Sequence, residues 1–211
     1  MSELLSLRRR MMPAGGGGLY DAEIEYLESD GSQYIMTGVN GNSVMECDAK
    51  AQFLSTSTQC LLGSRSSTRN GCRLFGIWSD GRLYCNVGDA YANVSFSSAT
   101  NTDLHILKTT SGNNSQRLYV DGSAGSAASS NSGRVSDNQL AMFALNYPNL
   151  GEIIDYATAR IYYLKITVGG NLVRDFIPVR KGTVGFMYDK VSQQLFGNRG
   201  TGTFTLGPDI V

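Results

Sequence analysis

The stretch RDFIPVRKGTVGFMYDKVSQQLFGN runs from Arg174 to Asn198, close to the end of the 211-residue chain. Its alternating apolar and polar side chains predict a strand, a basic turn and a hairpin. It contains no nucleophile beside a general base, no cluster of metal ligands and no phosphate-binding loop. A stretch this specific, with no reactive chemistry in it, indicates a part in the fold.

The rest of the chain also favours strands over helices. Gly, Ser, Thr and Asn are abundant, and charged residues make up only 17% of the chain, below the usual quarter or so. Turn sequences such as SDGR, SGNNS, VDGS and VGGN separate short alternating runs. Many short strands are typical of a sandwich or barrel, and no long helical pattern suggests a βαβ unit. The polar stretch 122–136 is expected to be an unpacked loop.

The charge balance and hydropathy exclude several classes of partner. The 18 basic and 18 acidic residues give a formal net charge of zero, so neither nucleic-acid nor anionic-membrane binding is indicated. No apolar run approaches the roughly 20 residues of a membrane-spanning helix. The N-terminal MSELLSLRRRMM is not a typical secretory signal, because its arginines follow its leucines.

Residues 1–18 are predicted to form an N-terminal arm, followed by the folded domain in residues 19–211. Leu4, Leu7 and Met11 share one face of a short helix, and the following PAGGGG is a flexible tether. This apolar stripe needs a receiving surface, so we expect the helix to dock onto other copies of the chain or a larger assembly. The alternative is that the arm folds back onto its own domain.

The cysteines and the single histidine do not indicate a metal or redox centre. Cys47, Cys60, Cys72 and Cys85 include no CxxC pair, and zinc is unexpected with one histidine in the chain. We expect buried free thiols, with disulfides as the alternative. His105 has no recognisable serine or cysteine partner and is expected to be structural.

Four segments, in order along the chain, resemble a known family. YLESDGSQYIMTGV, RLYVDG, ATARIYYLKI and the closing stretch are similar to a laminin-G-like domain with the concanavalin A-like jelly-roll fold. The variant is one found in phages, prophages and gut bacteria, and the resemblance covers about Ile24 to Ile210. Related sequences often carry an aspartate where this chain has Met36, so no role of that acid is carried over.

The resemblance implies an all-β, concanavalin A-like jelly-roll sandwich whose two chain ends lie side by side. The closing stretch would then complete the sheets next to the opening strands. It predicts Phe176, Ile177 and Val179 in the core and a turn at residues 188–190.

Catalysis and metal binding find little support in the sequence. Glycosidases of this fold use paired carboxylates, and strand alternation would place Glu23 and Glu25 on one face. That segment matches the opening strand of the family, so we interpret both as solvated edge charges. Glu152 and Asp155 are expected in a loop. A calcium site at the rim near Asp121 is the alternative to no cofactor, since laminin-G relatives can bind calcium there, but no acidic cluster is visible.

The central hairpin RLFGIWSDGRLYCNV offers the best candidate binding face. A two-residue turn at Asp80-Gly81 would place one set of side chains against the core: Leu74, Trp78, Leu83, Cys85 and Val87. The outward set would be Arg73, Phe75, Ile77, Arg82, Tyr84 and Asn86. From the outward set we predict a glycan site with an apolar face and hydrogen-bonding edges, formed by Arg73, Phe75, Arg82, Tyr84 and Asn86. The alternative is that these rings pack under a loop or a neighbouring subunit, and a three-residue turn would instead put Trp78 outside.

These observations predict a non-enzymatic structural and binding protein. The first expectation is a phage virion component (a head fibre, capsid decoration or tail fibre) that forms homo-oligomers such as trimers, contacts other virion proteins through the arm and binds glycans on its outer face. The second is a secreted or cell-surface bacterial carbohydrate-binding protein, and the third is a glycoside hydrolase. No cofactor, nucleic-acid partner or membrane span is expected.

Overall fold

The computed structural model describes residues 18–67, 70–88, 100–112, 114–129, 135–148 and 151–210, and the backbone of 93–96. The predicted docking helix with Leu4, Leu7 and Met11 lies outside them. The described strands are β1 Ala22–Glu23, β2 Leu27–Asp30, β3 Ile35–Asn40, β4 Met45–Phe53, β5 Gln59–Cys60, β6 Leu62–Arg65, β7 Gly71–Ile77, β8 Leu83–Gly88, β9 Asn93–Phe96, β10 Leu104–Gly112, β11 Ser115–Val120, β12 Ser123–Ala124, β13 Ala128–Ser129, β14 Gln139–Met142, β15 Leu145–Tyr147, β16 Glu152–Ile154, β17 Thr158–Val168, β18 Asn171–Lys181, β19 Val184–Asp189, β20 Gln194–Phe196 and β21 Thr205–Leu206.

The strands form the two sheets of a sandwich, which confirms the predicted all-β jelly roll. The larger, 12-stranded sheet has the order β12-β11-β10-β4-β17-β18-β19-β20, with β1, β2, β13 and β21 added to it. The smaller, nine-stranded sheet has the order β16-β15-β6-β7-β8-β9, with β3, β5 and β14 added. Within the described residues, no helix is long and apolar enough to cross a membrane.

The core between the sheets follows from the alternation of side chains along each strand. In β4, Cys47, Ala49, Ala51 and Phe53 are buried while the residues between them are more exposed. Successive strand residues point to opposite faces, so one face of β4 packs inward and the other meets solvent. The largest fully buried rings belong to Phe53, Phe75, Phe143 and Phe176.

The closing stretch lies beside the opening strands, as the resemblance implied. β1 pairs with β18 at Glu23 and Val179, and β2 pairs with β21 at Leu27 and Leu206. Phe176 and Val179 are fully buried as predicted. Ile177 is only partly buried, because alternation along β18 turns it away from the face that carries the buried Phe176 and Pro178, and its predicted core position was wrong.

Asp189 organises the turn between β19 and β20, where a turn was predicted. Its carboxylate is completely buried and accepts hydrogen bonds from the backbone nitrogens of Asp175 at 2.8 Å, Val191 at 3.2 Å and Ser192 at 3.0 Å. The Ser192 hydroxyl donates a further bond at 2.6 Å. The acidic residue of this turn therefore joins three segments of the closing stretch.

Two smaller predictions have different outcomes. All four cysteines are buried free thiols, as expected. Burial raises the pKa of Cys60 and of Cys72 to about 12, so both remain protonated at neutral pH. In the polar stretch 122–136, predicted as an unpacked loop, residues 130–134 lie outside the described residues. β12 and β13 pair with β11, so the described part is not all loop, although most of its side chains are exposed as expected.

Candidate functional site

The hairpin of β7 and β8 has a different turn from the one predicted. The backbone nitrogen of Trp78 donates to the Arg82 carbonyl at 3.2 Å, and Ile77 lies opposite Leu83. The loop thus contains three residues, Ser79 to Gly81. A three-residue turn was the alternative that was expected to put Trp78 on the outer face. Trp78 is accordingly on the outer face and only partly buried, while Ile77 is fully buried in the core.

A β-bulge in β7 explains why Arg73, which is farther from the turn than the bulge, still points to its predicted outer face. Arg73 still lies opposite Asn86, but Gly76 lies opposite Tyr84, so two residues of β7 oppose the single residue Cys85 of β8. The extra residue reverses the alternation within β7. Phe75 is consequently fully buried, and its prediction as a glycan-binding residue was wrong.

The outer face carries a stack of two aromatic rings and a guanidinium group, which we call the hairpin patch: Arg73, Trp78 and Tyr84. The ring centroids of Trp78 and Tyr84 are 5.0 Å apart with an interplanar angle of 33°. The Arg73 guanidinium lies 5.3 Å from the Trp78 ring centroid. Within the described residues, the buried indole nitrogen of Trp78 has no hydrogen-bond partner.

Two contacts fix Arg73 in the hairpin patch. Its guanidinium forms an ion pair with Asp155, which follows β16. Its side chain lies across Gly76, where an added Cβ would be only 2.5 Å from the Arg73 Cδ. The absence of a side chain at Gly76 therefore lets Arg73 reach the indole ring and Asp155 together.

Tyr84 is held from the loop side by Asp80. The tyrosine hydroxyl donates to the Asp80 carboxylate, which also accepts the Arg82 backbone nitrogen at 3.2 Å. The Tyr84 bond lowers the pKa of Asp80, and the same bond raises the pKa of Tyr84. Tyr84 therefore presents a neutral ring at physiological pH beside the indole, and the side chain of Arg82 is exposed.

Four of the five predicted glycan-binding residues thus share the outer face, although not equally. Arg73 and Tyr84 form the patch, Arg82 is exposed at its edge, and Asn86 is nearly buried opposite Arg73. The residues that sequence reasoning missed are Trp78 and Asp155. Glu152 begins β16, so its expected loop position was wrong, whereas Asp155 lies in the loop after that strand, as expected.

A cleft of about 500 Å³ opens at the seam where residues 31–34 of the opening segment meet residues 199–201 of the closing segment. Its lining includes Tyr34, Tyr156 and Arg199, and we call it the seam cleft. The two tyrosine rings meet edge to face, with centroids 6.2 Å apart. Burial raises the pKa of Tyr156, and the neighbouring Tyr34 adds to the shift. No local motif joins these residues, which lie in distant parts of the sequence.

Backbone pairing at the seam brings them together. The Arg199 nitrogen donates to the Tyr34 carbonyl at 2.9 Å, and the Thr201 nitrogen donates to the Ser32 carbonyl at 3.0 Å. Asn198, the last residue of the closing stretch, supports both segments: its Oδ1 accepts from the nitrogens of Tyr34 at 3.3 Å and Gly200 at 2.8 Å. The closing stretch is therefore specific because its last residue holds the opening and closing segments together.

Another aromatic surface, on the outer face of the larger sheet, satisfies its own hydrogen bonds. Arg160 pairs with Glu28 at 2.5 Å and lies over the Tyr26 ring at 4.4 Å. The Tyr163 hydroxyl donates to Asp48 at 3.0 Å. These polar groups pair with one another, as Arg73 and Asp155 do in the hairpin patch, but the hairpin patch also holds an indole nitrogen without a partner among the described residues.

The remaining candidate residues have structural surroundings. Glu23 and Glu25 are exposed on either side of the buried Ile24, as expected for solvated edge charges. His105 bonds Asp121 through Nδ1 and Asn101 through Nε2, both at 2.7 Å. The described residues contain no group of three or more histidine, cysteine, aspartate or glutamate side chains that could hold a metal ion. The expectation that the chain is not an enzyme stays untested, as does the choice between no cofactor and a calcium ion near Asp121.

Comparison with known proteins adds structural relatives. No protein-family model and no curated protein sequence matches the chain. A Bacteroides ovatus protein, named as a candidate carbohydrate-binding protein, superposes with a TM-score of 0.60 at 10% identity over 90% of this chain. This chain spans 61% of that protein's length.

Two further solved structures have the same fold. Domains LG4-5 of the mouse laminin alpha1 chain superpose with a TM-score of 0.54 at 15% identity, covering 72% of this chain and 44% of that one. The heptameric SAP-like pentraxin of Limulus polyphemus gives 0.56 at 10% identity, covering 92% and 98%. Together with the two-sheet topology, these likenesses show that the chain has the concanavalin A-like, laminin-G-like fold.

Proposed function

We propose that this chain is a non-enzymatic carbohydrate-binding module that holds a sugar ring on the hairpin patch. The observation that carries the proposal is the outward stack of Trp78 and Tyr84 beside Arg73. A pyranose presents an apolar face, which packs on an aromatic ring, and hydroxyl edges, which bond to the guanidinium and carboxylate groups around it. The carbohydrate-binding name of the Bacteroides ovatus relative supports this assignment.

We expect Tyr84→Ala to weaken glycan binding about tenfold, because one ring of the platform is removed. Tyr84→Phe keeps the ring and should bind within about twofold of the wild type. A glycan array identifies the ligand, and calorimetry on the best hit measures the dissociation constants. Equal affinity for the wild type and Tyr84→Ala, with both proteins folded, would contradict the proposal.

The wider setting that we propose is a phage particle, where the chain would act as a head-fibre, capsid-decoration or tail-fibre component. Its support is the resemblance of four segments to domains of phages and prophages. A heptameric pentraxin among the structural relatives is compatible with assembly into homo-oligomers. The second candidate, a secreted or surface bacterial carbohydrate-binding protein, is favoured by the Bacteroides relative. We propose no cofactor for either role.

Deleting residues 1–12 is expected to abolish oligomer formation or particle incorporation while leaving the thermal midpoint unchanged. Burying Leu4, Leu7 and Met11 contributes about 1.5–3 kcal/mol per side chain before ordering costs, and several copies add avidity. Light scattering and co-purification with particles measure the outcome. A chain that is monomeric before and after deletion, with no assembly partner, would reject the docking role.

A further inference from the structure

We propose that the seam cleft is a second binding site, which takes a carboxylate-bearing sugar and pairs its carboxylate with Arg199. The inference shares with the proposed function only the class of ligand. It depends on different residues from those of the hairpin patch, so either site can fail without the other.

The charge of the lining favours an anion. Among the described residues that line the cleft, Arg199 alone is charged, and its side chain is exposed. In the part of the chain that the structure describes, its guanidinium makes no ion pair or hydrogen bond. An arginine guanidinium binds a carboxylate through two parallel hydrogen bonds, which makes it selective for planar anions.

The hydroxyl groups of the cleft are also available to a ligand. The side-chain hydroxyls of Tyr34, Tyr156 and Thr201 have no hydrogen-bond partner among the described residues. Each can donate to a carboxylate or accept from a sugar hydroxyl. The raised pKa of Tyr156 keeps its hydroxyl protonated and therefore able to donate.

The nearby carboxylates do not cancel this preference. Asp30 keeps its charge but is not among the residues that line the cleft, and its Oδ1 is directed at Ser32, whose backbone nitrogen and hydroxyl donate to it at 3.0 and 2.6 Å. Asp155 is neutralised by Arg73. Glu152 is the residue before the lining Ile153 in β16, and adjacent strand residues point to opposite faces.

The shape of the cleft suits a single ring. Tyr34 and Tyr156 meet edge to face, line the cleft and are only partly buried, so they supply an aromatic wall for a pyranose. Gly31 and Gly200, which also line the cleft, let a ligand approach the backbone closely. An acidic pyranose, either a uronic acid within a polysaccharide or a terminal sialic acid, combines the required ring and carboxylate.

The test compares two ligands that differ only in the carboxylate, methyl β-D-glucuronide and methyl β-D-glucoside, titrated into the full chain and followed by NMR. We expect the glucuronide to bind about tenfold more tightly, the worth of a hydrogen bond to a charged group. Arg199→Gln should remove that preference. The control variant Lys181→Gln, which removes an exposed positive charge elsewhere, should keep it.

A sialic acid methyl glycoside in the same assay distinguishes the two sources of the carboxylate. Tighter binding of either acidic sugar that depends on Arg199 supports the inference. Equal binding of glucuronide and glucoside without a response to the sialoside would overturn it, as would a preference that survives Arg199→Gln. If Tyr84→Ala removes the preference instead, the hairpin patch recognises the carboxylate, and the inference fails while the proposed function stands.

Discussion

Replacing Asp189 with alanine is expected to lower the free energy of unfolding by about 3 kcal/mol, because several donors in the closing turn lose their acceptor together. The carboxylate is completely buried and accepts three backbone N–H groups and the Ser192 hydroxyl. Arg174 Nε, which lies 3.6 Å from it and also donates to the Thr37 carbonyl, would lose its counter-charge. Urea unfolding followed by circular dichroism measures the change.

Asp189→Asn separates the charge from the shape of this group. The amide keeps only one oxygen, so the donors on the other side would face an NH₂ group, and we expect a loss of about 2 kcal/mol. Asp103→Asn is the control, since among the described residues this exposed turn carboxylate accepts only from the Asn101 amide at 2.8 Å, and we expect a change in stability of less than about 0.5 kcal/mol. Equal stabilities for the two variants would show that Asp189 does not organise the turn.

The same carboxylate predicts a pH dependence with a defined sign. Burial raises the pKa of Asp189, but the hydrogen bonds from Ser192, Asp175 and Val191 outweigh burial and leave the pKa below its ordinary value. Its stabilising contribution is therefore present above the unfolded value of about 3.9 and lost as pH falls through the folded pKa. The gap in stability between the wild type and Asp189→Asn should narrow below about pH 4.

The sequence was sufficient for the fold because the signals for the fold are local and repeated. Alternation in β4 and β8, glycine and asparagine in the turns, and the closing stretch all indicate strands without any knowledge of the pairing. The hairpin patch was only half predicted. Strand parity correctly placed Arg73 and Tyr84, but a three-residue loop and a bulge each add a residue, and one added residue reverses every later side chain.

The seam cleft could not be predicted from the sequence at all. Tyr34, Tyr156 and Arg199 belong to three separate segments, and each looks like an ordinary surface residue by itself. Only the pairing of the opening and closing segments places them together. Such sites depend on long-range register, which neither composition nor periodicity contains.

Gly200→Ala is expected to open this seam and to cost about 3 kcal/mol of stability, at the upper end of the usual range for overpacking. A Cβ at this position would lie 2.2 Å from the Ser32 carbonyl oxygen and 3.0 Å from the Gln33 Cα. Both are backbone atoms, so no side-chain rotation can relieve the clash. The two segments must separate, which strains the backbone hydrogen bonds that Arg199 and Thr201 donate to the carbonyls of Tyr34 and Ser32.

Gly197→Ala is the matched control, because its added Cβ would lie 3.2 Å from the edge of the Phe186 ring, which can turn slightly. We expect it to cost less than about 1 kcal/mol. Thermal unfolding gives the stabilities, and amide exchange at Arg199 and Thr201 should accelerate in Gly200→Ala, since local opening precedes global unfolding. Unchanged exchange and an unchanged midpoint would show that the seam tolerates the methyl group. The close approach would then not be what joins the two ends of the chain, and the residues of the seam cleft would owe their placement to the Asn198 bonds instead.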